Sequence, residues 1–108
     1  MNRKFQLEEL LKESPKNSFL LFALAKECEL EDDYLKAIDW YTTLLANEPE
    51  YTGAYYHLAA AYRRLNQIDE CRKILQSGII QCTNQGKQHD LSELKSALMN
   101  LEIELLEG

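Results

Sequence analysis

Three cysteines (Cys28, Cys71, Cys82) and two histidines (His57, His89) supply all the thiol and imidazole groups of this chain. None of the cysteines falls in a CxxC pair, and the set lacks the ligand spacing of a zinc site. Three thiols cannot all pair within one chain, so reduced cysteines in a reducing compartment are the simpler reading. Cys28 and Cys71 fall in apolar stripes, where cysteine acts as a small hydrophobe. Cys82 is less constrained and is a candidate reactive thiol, although no neighbour in the sequence depresses its pKa. The acidic run Glu27, Glu29, Glu31, Asp32 and Asp33 lacks the alternating oxygens and the glycine of a calcium loop, and reads as a solvated helix end and turn. No nucleophile elbow, phosphate loop or HExxH occurs, and no paired titratable groups of the kind catalysis needs are visible. The expectation is a protein that is not an enzyme and that uses no cofactor and no metal.

Composition narrows the class further. A length of 108 residues is one domain, 1–108, able to bury roughly two thirds of its unfolded surface. Apolar residues at 45% and charged residues at 28% argue for an ordinary folded domain and against disorder. The net charge of -6 argues against a nucleic-acid partner, which needs Lys and Arg concentrated on one face, and against an anionic membrane surface. No run of eighteen apolar residues occurs, and residues 1–11 are charged and amphipathic rather than signal-like. A cytoplasmic protein is the default expectation.

What must position any working residues is a repeat. Displacing the sequence by thirty-four residues places Leu7 on Tyr41 and Leu75, Leu11 on Leu45 and Ile79, Pro15 on Pro49, Leu24 on Leu58, and Ala25 on Ala59. A fixed period of this size marks stacked units, none of which buries its apolar face alone. Helical spacing predicts a helix over 3–13 with a stripe of Leu7, Leu10 and Leu11, stopped by Pro15. Asn17 or Ser18 caps a second helix to about Leu30, with Leu21, Leu24, Ala25 and Cys28 inward. An Asp of the polar turn Glu31–Asp33 caps a third, which carries Tyr34, Ala37, Ile38, Tyr41, Leu44 and Leu45. Tyr55, Leu58, Ala59 and Tyr62 line a fourth helix, Asn66 turns the chain, and Ile68, Cys71, Leu75 and Ile79 line a fifth, which Asn84-Gln-Gly86 breaks. A last helix over 88–106 has Leu91, Leu94, Leu98, Leu101 and Leu105 on one face, with Asp90 and Glu93 spaced as a capping box. No strand pattern is present.

These units resemble the tetratricopeptide repeat (TPR) family, whose helix-turn-helix pattern is W-x2-L-G-x2-Y, then A-x3-F, then P. The first unit reads Leu21-x2-Leu24-Ala25-x2-Cys28, Ala37-x3-Tyr41, Pro49; the second reads Tyr55-x2-Leu58-Ala59-x2-Tyr62, Cys71-x3-Leu75, with Thr83 in place of proline. Leu21, Cys28 and Cys71 depart from the usual Trp, Tyr and Ala but remain compatible with burial. The resemblance implies an all-α, right-handed stack of antiparallel helix pairs, about six helices in all. Residues 3–15 form a half-repeat helix, 18–49 and 52–83 the two repeats, and 88–106 a C-terminal capping helix.

It also implies a scaffold that binds a peptide or helix of a partner protein along the first helices of the pairs. Carried onto this sequence, that groove consists of Phe19, Phe22, Lys26 and Glu29 from the first repeat. The second contributes Gly53, Tyr56, Ala60 and Arg63, with His57 and Arg64 at its margin. Phe19, Phe22 and Tyr56 lie off the core stripes and look like a binding patch; the alternative is that the last helix covers them. Family members that grip chaperone tails hold a carboxylate in a Lys/Asn/Arg clamp. Phe22, Lys26 and His57 stand where that clamp needs a Lys and two Asn, which disfavours that ligand; Lys26, Arg63, Arg64 and His57 read better as scattered surface charge. Finally, Met99, Ile103 and Leu106 form a second stripe on the last helix, suited to packing or to a homodimer contact; the alternative function is a self-associating structural protein whose groove is closed by its own C-terminal helix.

Overall fold

In the computed structural model, which describes residues 2–108, six helices follow one another as α1 (Arg3–Glu13), α2 (Ser18–Leu30), α3 (Tyr34–Asn47), α4 (Gly53–Arg64), α5 (Ile68–Gln85) and α6 (Gln88–Glu107). Local chemistry sets most of the boundaries. The side chains of Asn2, Asn17 and Asp33 accept the backbone N–H of Phe5, Leu20 and Lys36, capping the first three helices. Asn17 therefore does the capping that either Asn17 or Ser18 could have done. The turns inside the two repeats are copies of each other. Asp32 and Asn66 both adopt left-handed backbone, with φ of 58° and 59°. The next residue's N–H then closes onto the helix behind it, Asp33 to the carbonyl of Cys28 at 2.8 Å and Gln67 to that of Tyr62 at 2.9 Å. This is the helix-ending geometry usually given to glycine, here carried by the two side-chain types best able to tolerate it. At the end of α5 a glycine does take the role: Gly86 has φ of 67°.

Successive helices pack in sequence, α2 on α3 and α4 on α5 most extensively, with α6 on α5 and along α4. The small residues of the repeat pattern are sealed inside the pairs: Ala25 and Ala37 are completely buried and Ala59 nearly so. Two core clusters result. One holds Leu7, Leu11, Leu21, Leu24, Tyr41 and Leu44, and takes Ala54, Leu58 and Ala61 from α4. The other holds Cys71, Leu75, Cys82, Leu94 and Leu101, and takes Tyr55 and Ala59 from α4.

Four expectations from the sequence are corrected. Leu10 is exposed, although its counterpart Leu44 is completely buried; α3 lies between α2 and α4, whereas α1 packs on α2. Leu105 is exposed as well, and Leu94 and Leu101 carry the burial of α6. Asp90 and Glu93 form no capping box, because α6 begins before Asp90 and no side chain caps it. Asp90 instead accepts the hydroxyl of Thr52 at 2.6 Å. Cys82 is fully buried and burial pushes its thiol pKa up, so it is not a poised nucleophile.

Candidate protein-binding face

The first helices α2 and α4, with α6 beside them, present the residues that the sequence singled out. They divide into three groups. Phe22, Glu29 and His57 belong to a half-buried network built on Tyr41. The Tyr41 ring stacks on His57 with centroids 5.9 Å apart and meets Phe22 edge-on at 5.8 Å. Phe22 also touches His57 and Tyr51, at 5.5 and 5.6 Å. The hydroxyl of Tyr41 donates to Glu29, and Nδ1 of His57 lies 3.5 Å from the same carboxylate. This network ties α2, α3 and α4 together beneath the surface. The helices of the first repeat thereby fix the face of the second.

Electrostatics within the network are opposed and resolved. Burial works against the Glu29 charge, but the His57 and Tyr41 contacts outweigh it and hold the carboxyl below its usual value of 4.5. Burial and the Glu29 carboxylate push the Tyr41 phenol well above its ordinary range, so it remains a donor. A carboxyl with a depressed folded-state pKa stabilises the fold above its unfolded pKa, and that contribution is lost as the pH falls through the folded value. Stability should therefore decline from about pH 5 downward. A Glu29→Gln variant should show a shallower decline in urea titrations across that window; equal slopes would exclude the carboxylate as the cause.

The second group, Tyr56, Ala60 and Arg63, lines a cleft rather than a core. Three adjoining pockets of about 180, 300 and 230 Å³ run between α4 and α6, each bounded by Tyr56. Gly53 and His57 border the first, and Ala60 and Arg63 the last, where Arg63 forms an ion pair with Glu104 of α6. The third group stands outside both arrangements. Phe19 is 69% exposed, Lys26 is half-buried, and Arg64 is exposed with its guanidinium 5.2 Å from the Tyr34 ring. The α6 side of the cleft, including Asn100 and Glu104, escaped the sequence reading. Its one legible signal was the four-residue spacing of Ser92, Ser96 and Asn100.

Elsewhere on α6, Met99, Ile103 and Leu106 are exposed along one face. Among the described residues, no helix is long and apolar enough to cross a membrane.

Comparison with known proteins agrees with this architecture. The tetratricopeptide repeat family matches residues 30–97. A tetratricopeptide repeat domain protein from Salinibacter ruber, solved in solution, is 35% identical over 82% of this chain and 89% of its own, with a TM-score of 0.77. The chain belongs to the tetratricopeptide repeat family. At the level of fold alone, a Bordetella parapertussis protein is similar with a TM-score of 0.84 and 23% identity, covering 96% of this chain and 90% of that one. The first TPR of Spaghetti (RPAP3), bound to the HSP90 peptide SRMEEVD, is 20% identical, covers 86% of this chain and 75% of its own, and has a TM-score of 0.67. No curated protein matches the sequence. Family and fold together support a protein-interaction module, a class that is typically non-enzymatic.

Proposed function

We propose that this protein is a non-enzymatic adaptor that binds a peptide or helix of another protein on the α2/α4/α6 face. One observation carries the reading: Phe19 and Tyr56, on the first helices of successive repeats, are 69% and 43% exposed, with an open cleft beside Tyr56. Large aromatics left in water are the residues that dominate interface energies, and Tyr56 also borders a cleft. The Spaghetti neighbour, which is bound to a peptide, supports a protein partner as a class. Phe22, Glu29 and His57 serve this face by shaping it from below; Lys26, Ala60 and Arg63 border it.

The test compares affinity capture from native lysate by wild type and by Phe19→Glu and Ala60→Glu variants, checked for unchanged helicity and Tm. Partners held by wild type should fall about tenfold or more in the variants, as for loss of a contact of about 1.4 kcal/mol or more. Undiminished capture by both folded variants would place the binding surface elsewhere. A second reading, self-association, draws support from the exposed stripe Met99, Ile103 and Leu106. It predicts a concentration-dependent dimer in sedimentation, abolished by Ile103→Glu. Three side chains are a small patch against the area that stable dimers bury, so the adaptor reading stands ahead.

A further inference from the structure

We infer that the partner of this face is an extended peptide segment carrying a lysine or arginine, seated in the cleft between α4 and α6. The inference rests on the adaptor reading above and deepens it.

The cleft itself selects the form of the ligand. α4 and α6 already touch, and the spaces between them measure about 180–300 Å³ each. Three small pockets in a row match the side chains of a single extended chain better than one face of a helix about 10 Å across. On the α6 wall, Ser92, Ser96 and Asn100 border the middle pocket. Residues four apart on a helix rise about 6 Å, close to the roughly 6.6 Å between alternate residues of an extended strand. These three side chains can therefore hydrogen-bond successive outward-facing backbone groups of such a strand.

Charge selects the side chain. The pocket at the N-terminal end of the cleft, about 180 Å³, is bounded by Tyr56, Leu94, Asp90 and Glu93. An aromatic ring and a leucine suit the aliphatic stem of a Lys or Arg, and two carboxylates suit its charged head. Of the described residues lining the whole cleft, the single Lys or Arg is Arg63 at the opposite end, already paired with Glu104. His89 lies 3.7 Å from Glu93 and His57 lies near Glu29, so both imidazoles face carboxylates of their own. An acidic ligand would meet Asp90, Glu93 and Glu104 with, among the described residues, no unpaired Lys or Arg lining the cleft. A basic one meets complementary charge, which steers association and fixes register.

The experiment uses the full chain, immobilised, against four degenerate heptapeptide pools whose central residue is fixed as Arg, Lys, Glu or Leu. The Arg and Lys pools should be retained about tenfold over the Glu pool at low salt, a preference that weakens as salt rises. Glu93→Lys should erase it, and Ser96→Trp, at an exposed position, should block retention of every pool. If the pools bind wild type without a basic preference, or if Glu93→Lys keeps that preference, the inference falls. In that case, loss of retention in Phe19→Glu would leave the adaptor reading standing. If wild type retains no pool, the inference falls, and the lysate capture with Phe19→Glu and Ala60→Glu decides the adaptor reading separately.

Discussion

Replacing Tyr41 by alanine is expected to destabilise the protein by about 3–5 kcal/mol, the range for deleting a buried aromatic ring from a packed core. Tyr41 has no exposed surface, and its ring is the element that His57 and Phe22 pack against. Its loss leaves a void where α2, α3 and α4 converge. It also leaves Glu29, a half-buried carboxylate, without the hydroxyl that donates to it. Tyr41→Phe isolates that second effect, because the ring stays and only the donor goes; about 1.5–3 kcal/mol is expected for a hydrogen bond to a charged group. Urea denaturation of both variants measures the two contributions separately. A Tyr41→Phe variant as stable as wild type would mean that water replaces the hydroxyl at no cost. A sharp loss in Tyr41→Phe should also show as disturbed resonances of His57 and Tyr56 on the α2/α4/α6 face, since the network reaches both.

Gly78→Ala should destabilise the protein even though it puts a better helix former in the middle of α5. In an open helix the change would stabilise by about 1 kcal/mol. Here a Cβ on Gly78 would stand 2.7 Å from Cβ of Tyr55 and 2.8 Å from Cδ1 of Leu94. The leucine terminus can rotate away, but the tyrosine Cβ moves only with the α4 backbone, and such overpacking typically costs about 1–3 kcal/mol. Gly78→Leu should exceed that and displace α6 along with α4. Gly53 provides the control, because a Cβ there meets nothing within 4 Å; Gly53→Ala should be neutral or stabilising. The same substitution with opposite signs at two sites, read as Tm shifts, is the signature expected. Stabilisation at both would show that the α4–α5–α6 contact is looser than described.

The period of the sequence made the stack legible because period reports which side of a helix is apolar. Leu21, Leu24, Ala25, Ala37 and Leu58 sit where that side predicts. Period does not report whether another element covers that side. Leu10 and Leu105 carry the correct spacing and remain in water, while Cys82, seven residues past Leu75, continues the buried face of α5 one turn beyond the stripe read from Ile68 to Ile79. The turns were legible in part: Asn66 and the acidic turn were visible as breaks, but the shared left-handed geometry of Asp32 and Asn66 was not. The face proposed for binding divided in the same way. The resemblance to the repeat family placed Tyr56, Ala60 and Arg63 on it. The opposing wall belongs to α6, whose register departs from the thirty-four-residue repeat, so nothing in the pattern aligned Asn100 or Glu104 with them. Nor could spacing show that Phe22 and Glu29 would be drawn down onto Tyr41. That depends on a ring from the neighbouring helix filling the space beneath them.

The helix α4 gives separate faces to the two cores: Ala54, Leu58 and Ala61 to one, Tyr55 and Ala59 to the other. Opening it exposes both at once, whereas α1 or α6 can part from a single neighbouring core. In a stack where each unit is held by its neighbours, cooperativity then runs through this one segment. Its central amides should exchange with solvent only when the whole molecule unfolds, while those near the two ends of the chain report smaller, local openings. The part of the protein that bears Tyr56 and Arg63 is thus its last to yield, so a ligand held there is held by the most persistent piece of the fold.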